Sequence, residues 1–359
     1  MSEPIVAGWQ QRLRDAAAQG RGLVIRGGGT KDFYGQEIVG EVLDTTPYAG
    51  IVDYDPTELV VTARAGTPLA EVERVLAGAG QMLAFEPPHF GSAATLGGAV
   101  AAGLSGPRRP YGGAVRDLVL GTRILDGSGT DLRFGGRVMK NVAGFDVARL
   151  MAGALGTLGV LLEVSLKCLP LPKAVAVRVL ECGAEDARRL ACGWAGTPLS
   201  VSGTCHVDGR LVVRLSGAAP AVAATAARMG GTELPDGEAF FAALREHTLP
   251  FFKAARAPGR ALWRVSVKPT APCADLGGPQ LVEWGGALRW LDLGARADGR
   301  ALRGWAASHG GHATLFHGGD KGVGVFQPLG ETLLSLHRRL KANFDPKGIL
   351  NRGRLYPEF

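Results

Sequence analysis

The segment from Trp9 to Gly20 reads as an amphipathic helix that ends at Gly20. Three short apolar runs follow, Leu23-Val24-Ile25, Val42-Leu43-Asp44 and Leu59-Val60-Val61-Thr62-Ala63, separated by turn residues, and each predicts a strand. Pro68 to Gly80 predicts a helix with Pro68 near its first turn, where a missing N–H costs little. Leu118 to Leu125 and Asp131 to Phe134 pair as a hairpin across Asp126-Gly127-Ser128-Gly129. Val147 to Leu155 predicts a helix and Val160 to Leu166 a strand, before Pro170 and Pro172 break the chain.

The rhythm then changes. A strand over Ala174 to Glu181, a helix over Glu185 to Trp194, a hairpin of Val201 to Val207 with Leu211 to Leu215, and a helix over Ala221 to Met229 follow in order. The outline repeats with a strand at Leu262 to Val267, a hairpin within Glu283 to Leu291 around Gly285-Gly286, a helix at Ala301 to Ser308 and a strand at Thr314 to Phe316. Two β-α-β-β-like halves predict an antiparallel sheet with helices on one face. A last helix, Thr332 to Phe344, leads into a terminal turn. The prolines and this repeat divide the chain into 1–172, 173–329 and 330–359.

Glycine marks the chemistry. It occurs 54 times in 359 residues, about twice the usual ~7%. Four glycine-marked stretches stand in order: Ile25-Arg26-Gly27-Gly28-Gly29-Thr30-Lys31, Thr95-Leu96-Gly97-Gly98-Ala99, Gly153 to Val160, and Phe344-Asp345-Pro346-Lys347-Gly348-Ile349-Leu350-Asn351. A triple glycine after a strand lets several N–H groups turn toward one anion, because no Cβ blocks the approach. Several such loops far apart in sequence suggest a long ligand, with a dinucleotide the first candidate. A P-loop is excluded because the chain contains no Gly-Lys pair. The Rossmann spacing Gly-x-Gly-x-x-Gly is also missing, since Gly153, Gly156 and Gly159 recur every third residue.

The ordered set resembles the FAD-binding domain of flavoproteins of the vanillyl-alcohol-oxidase, or PCMH, type. The matching residues are the Gly27 to Thr30 loop, Asp55-Pro56 before Val60-Val61, Thr95 to Gly98, Tyr111-Gly112, Arg116-Asp117, Lys140 to Asp146, Gly156 to Val160 and Asp345 to Asn351. They cover roughly the first half of the chain and its last few dozen residues. Within that family, the short length and the Lys-Asn-Val-Ala-Gly-Phe-Asp wording at 140–146 most resemble the FAD-binding E subunits of bacterial glycolate oxidase, also called glycolate dehydrogenase. The resemblance implies an α+β fold in which a two-subdomain PCMH-type FAD-binding domain carries an antiparallel-sheet, ferredoxin-like cap domain. It implies an FAD-dependent oxidoreductase subunit acting on glycolate or a similar 2-hydroxy acid, beside a larger FAD-binding subunit and an iron–sulfur subunit. An assembly subunit that keeps the FAD fold without substrate chemistry is the alternative. The cofactor-binding residues carried over are Arg26, Gly27, Gly28, Gly29, Thr30, Thr95, Leu96, Gly97, Gly98, Tyr111, Gly112, Arg116, Asp117, Lys140, Asn141, Gly156, Thr157, Leu158, Gly159, Val160 and Asn351. Taken singly, Gly97, Gly98, Gly156 and Gly159 read as close helix–strand packing.

Two departures from the family refine this. Many relatives link the flavin to a histidine at the first glycine loop, whereas here Thr30, Lys31 and Asp32 occupy it and no histidine occurs before His89. Noncovalent FAD is therefore expected. Related hydroxy-acid dehydrogenases carry a His-x-His-x-x-Asp-Gly-Asn-type run, which His309, His312 and His317 do not reproduce. Oxidation of a 2-hydroxy acid needs a base and a cation for the carboxylate. His317, Arg264 and Arg289 are the candidates, each more readily structural, and no metal site is expected.

Charge and cysteine content narrow the classes further. The net charge of +7 is spread without any Lys/Arg run interleaved with aromatics, so no nucleic-acid surface is expected. Five cysteines without a Cys-x-x-Cys pair argue against a disulfide scaffold or an iron–sulfur site and for a reducing compartment. No signal-peptide pattern opens the sequence and no apolar stretch approaches ~20 residues, so a cytoplasmic chain is expected, with any membrane association through partner subunits.

Overall fold

The computed structural model describes residues 3–136 and 146–359. The apolar run Val160–Lys167 is buried on both faces along almost its whole length, which makes it the middle of a sheet. That sheet has five strands in the order Ile51–Asp55, Val60–Arg64, Val160–Lys167, Val119–Leu125, Asp131–Gly135, every pair antiparallel. The Leu69–Gly78 and Leu96–Ala102 helices bury Leu69, Val72, Leu76, Leu96 and Val100 in the same core as Val61, Val164 and Leu166.

A smaller layer precedes it. Leu23–Arg26 pairs in parallel with Glu41–Asp44, and the Pro4–Gln19 helix covers them with Val6, Trp9, Leu13 and Ala16. Gly20 closes that helix at φ +65. The end of the chain joins this layer: Leu350 bridges Leu23 in parallel, and Ile349 and Leu350 are fully buried beside it.

The remaining sheet has eight antiparallel strands. In its first half, Ala174–Glu181, Val201–Val207, Arg210–Gly217 and Thr232–Glu233 lie in the spatial order fourth, first, third, second, with helices Ala184–Trp194 and Ala219–Met229 in the crossovers. This is the βαββαβ ferredoxin-like arrangement. The second half, Arg260–Ser266, Gln280–Glu283, Leu288–Gly294 and His312–Gly318, repeats that order in reverse, and the halves join where Cys205 faces Glu283 and His206 faces Val282. Its first crossover is irregular chain; the Arg300–Ser308 helix fills the second.

Two expectations need correction. The helix predicted to reach Leu155 stops at Leu150, because Gly153 and Leu155 take φ +86 and +49. That turn lets the Gly153 and Leu155 N–H groups donate to the carbonyls of Val100 and Ala101 at 3.0 and 2.9 Å. Pro68 stays extended and bridges Thr95, so the helix begins after it. Helices Gly237–Arg245 and Pro250–Ala255 occupy a stretch to which the sequence assigns no element.

These two helices bring the eight-stranded layer onto the first. Phe241, Leu244 and Phe252 share one buried cluster with Tyr34, Ala102, Leu104 and Leu155. Polar bonds fix the contact. The Glu246 carboxylate accepts from the Phe90 N–H at 2.8 Å, the Glu86 carboxylate pairs with Arg214 at 2.8 Å, and the Trp284 indole N–H donates to the Gly106 carbonyl at 3.1 Å.

Candidate functional site

The strand Leu23–Arg26 runs out into Gly27, Gly28, Gly29 and Thr30, whose N–H groups find no hydrogen-bond partner among the described residues. Four consecutive unspent donors at one loop form an anion-binding concavity. Sterics explain the glycines. A Cβ on Gly28 would stand 1.5 Å from the Ala93 carbonyl oxygen, one on Gly27 would stand 2.5 Å from Thr95 Oγ1, and Gly29 sits at φ +71. The loop is thus pressed against the 93–95 turn on one side and open on the other.

The open side is a cavity of about 590 Å³. Such a volume lies within the roughly 300–1,000 Å³ of cofactor sites. Of the sequence-derived residues, Arg26, Gly27, Gly28, Gly29, Thr30, Thr95, Gly97, Gly98, Gly156, Gly159 and Asn351 line it. Leu96, Tyr111, Gly112, Arg116, Asp117, Thr157, Leu158 and Val160 do not. Leu96, Thr157 and Val160 are buried in the surrounding core, and Asp117 accepts a hydrogen bond from the Ala114 N–H. Tyr111 and Gly112 face the eight-stranded layer and Ala84 instead; burial pushes the Tyr111 phenol up to about 12. Lys140 and Asn141 lie outside the described residues.

The cavity wall is held by capping and tail contacts. Thr95 Oγ1 accepts from the Gly98 N–H at 3.2 Å, starting the Leu96–Ala102 helix against the loop. Gly97 allows a close approach, since a Cβ there would lie 2.6 Å from that of Ala65. Asn351, buried and at φ +40, accepts from the Ile25 N–H at 2.7 Å and donates to the Leu155 carbonyl at 2.6 Å. One side chain therefore ties the tail to two walls of the cavity. Behind it, buried Lys341 pairs with Asp345 at 2.7 Å and donates to the carbonyls of Thr157 and Leu350.

Residues not carried over as cofactor-binding also line the cavity, among them Lys31, Asp32, Ala101, Met151, Leu155 and Arg354. Arg26 pairs with Asp32 at 2.7 Å. Arg354 donates to the backbone carbonyls of Gln36, Lys31 and Asp32. Adjacency to the glycine loop was the only signal for Lys31 and Asp32. A lone arginine in the tail gave none.

The three candidates for substrate chemistry lie elsewhere. Arg289 is fully buried, donates to the Ala271 and Pro272 carbonyls, and stacks on Trp305 at 4.9 Å, which is a loop-holding role. Arg264 lies over the rings of Trp284 and Trp290 at 5.2 and 6.0 Å, and burial pulls its guanidinium below the ordinary value. His317 packs 5.3 Å from Phe33; burial, then Arg256 and Lys321, lower its imidazole. Between the two layers, Arg264, Glu283, His247, Phe90, Trp290 and Phe316 surround a second cavity of only about 20 Å³, room for roughly one water. Burial pushes the Glu283 carboxyl up to about 7, while Trp290 Nε1 donates to it at 2.6 Å. His247 is stacked 3.9 Å from Phe252, and burial first, then nearby arginines, hold its imidazole well below the usual range.

Residues 7–135 match the family described as FAD binding domain, and residues 305–355 the family described as FAD linked oxidases, C-terminal domain. The chain is 48% identical to glycolate oxidase subunit GlcE of Escherichia coli (strain K12), over 97% of this chain and 96% of that one. It is 33% identical to glycolate oxidase subunit GlcD of Bacillus subtilis over 34% of this chain and 26% of that protein. It is 31% identical to the mitochondrial D-lactate dehydrogenase [cytochrome] 1 of Saccharomyces cerevisiae over 36% and 22% of the two chains. Among solved structures, an alkyldihydroxyacetonephosphate synthase superposes with a TM-score of 0.65 at 16% identity, covering 95% of this chain and 74% of that one. That match shows a shared fold.

Proposed function

We propose that this chain, which belongs to the family of glycolate oxidase subunit GlcE, serves a glycolate-oxidising complex by accepting or relaying electrons through a noncovalently held FAD. A larger FAD-binding subunit and an iron–sulfur subunit complete that complex, with glycolate or a similar 2-hydroxy acid as its substrate. One observation carries the reading: a run of four N–H groups, Gly27 to Thr30, without a partner among the described residues, opens into a cavity of cofactor size. FAD, when bound, supplies reversible uptake of a hydride or of single electrons.

The chain's own residues have the task of holding and orienting. The Gly27–Thr30 amides would hold the diphosphate, with Thr95, Gly97, Gly98, Gly156 and Gly159 shaping the wall and Asn351 locking it. No histidine lies in the first glycine loop, and His89, the first in the sequence, has its ring paired with Glu73 at 2.9 Å. This favours noncovalent attachment. In this reading residues 1–172 form the FAD-binding domain, 173–329 the cap, and 330–359 the returning tail.

A second reading, an assembly subunit without substrate chemistry of its own, is favoured by the contact between the layers. Aromatic rings fill it and leave about 20 Å³ beside Arg264. Glycolate has five heavy atoms and does not fit there. The visible absorption spectrum of the purified chain, before and after anaerobic glycolate, separates the readings. Flavin bands that glycolate leaves unbleached support relay or assembly. Bleaching means that the chain has its own substrate site. A colourless protein that takes up no added FAD overturns the proposal.

A further inference from the structure

Among the described residues, three cations line the glycine cavity: Arg26, Lys31 and Arg354. Arg26 is neutralised by Asp32, and the Arg354 guanidinium is used on three backbone carbonyls. Lys31 differs. Its Nζ donates to the His89 carbonyl at 3.1 Å and to Thr30 Oγ1 at 3.3 Å, and among the described residues no carboxylate pairs with it. An ammonium has three donors, so one remains.

We propose that Lys31 is a cofactor-binding residue whose ammonium pairs with a negative charge of the bound FAD at the edge of the glycine cavity. This inference rests on the FAD reading above. Two further features of the structure hold the side chain in place. The His89 carbonyl that orients it belongs to a strap pinned from the other layer, since the Glu246 carboxylate accepts from both His89 N–H and Phe90 N–H. The Phe90 ring, turned by a backbone φ of +54, lies 5.6 Å from the ammonium. The elements around Lys31 carry Glu246 with Arg245, His89 with Glu73, the Arg26–Asp32 pair, and Arg354. Burial draws the ammonium down to about 8, opposed in part by Glu246. A desolvated cation without an anionic partner gains most when a ligand brings one.

The sign of the pH dependence follows. Below about pH 8 the lysine is already charged and FAD affinity is level. Above it, binding requires uptake of a proton, so affinity falls by up to about tenfold per pH unit. Calorimetric titration of the full-length apoprotein with FAD between pH 7 and 9.5 tests this in the wild type, Lys31→Met and Lys31→Arg. The wild type is expected to weaken above pH 8. Lys31→Met should bind about 10- to 30-fold more weakly at pH 7 with a flat profile. Lys31→Arg should keep near-wild-type affinity, also without the decline.

ADP and riboflavin locate the charge. Equal loss for ADP and FAD in Lys31→Met supports pairing with the diphosphate, whereas an equal loss for riboflavin, whose oxidised ring is uncharged at pH 7, overturns the ion pair. A flat wild-type profile, or a Lys31→Met protein with wild-type affinity and profile, overturns the proposal. A wild type that binds no FAD overturns the cofactor reading itself and is distinguished by that result alone.

Discussion

Asn351 and Glu283 show how single residues set the two cavities. Asn351 spends both polar atoms of its amide on separate backbone segments, Ile25 and Leu155. Replacing it with Leu leaves a buried N–H and a carbonyl unpaired, at a cost of about 2–3 kcal/mol, and should weaken FAD binding as the wall loosens. Urea unfolding and FAD titration check this together. Glu283 tests the opposite layer. Its folded pKa of about 7 is above the unfolded value, so its contribution is fully present below the unfolded pKa and is lost as pH rises toward 7. Glu283→Gln keeps an acceptor for Trp290 and removes the charge. It should match the wild type near pH 4.5 and be more stable by about 3 kcal/mol at pH 8. Equal stability of the two proteins across that range would show that the carboxyl is ionised without penalty. Of these residues the sequence singled out only Asn351, through the terminal motif. The environment of Glu283 depends on cross-layer packing, which no local pattern encodes.

Among the elements, the terminal helix Glu331–Phe344 has one task that its sequence conceals. Its exposed face carries Leu333 and Leu336, while Lys341, one of its basic residues, is buried. The expectation from charge alone is a solvated face; instead the Lys341–Asp345 pair is enclosed, with Asp345 accepting from Ile349 and Leu350 N–H at 3.0 and 2.7 Å. Lys341→Met leaves that carboxylate without its cation, and breaking such a pair costs about 3–5 kcal/mol. Hydrogen exchange should then accelerate over 345–351; unchanged protection there would mean that the tail is held by apolar contacts alone. Most strands were legible because alternation and flanking glycines mark them, as at Ala174–Glu181 and the Val201–Val207 hairpin. Gly237–Arg245 and Pro250–Ala255 were not. They are nine and six residues long, without side-chain caps, and tertiary packing of Phe241 and Phe252 stabilises them.

For the whole molecule, the chain places a glycine-lined cavity in one layer and packs an eight-stranded, internally repeated layer against it. The glycine order led to the cavity, because loops that must approach one another and a ligand are the places where Cβ atoms do not fit. It did not distinguish glycines that line the cavity from those, such as Gly112, that face a neighbouring backbone. The central claim is that this cavity holds FAD without a covalent bond. Acid precipitation of the purified wild type, with the released flavin quantified against protein, tests it most directly when paired with Ala101→Trp. Ala101 lines the cavity from the Leu96–Ala102 helix, so an indole there would take up space within it. About one FAD should be released per wild-type chain and little from Ala101→Trp at an unchanged apoprotein melting temperature. Flavin that stays with the precipitate, or equal flavin in both proteins, would contradict it.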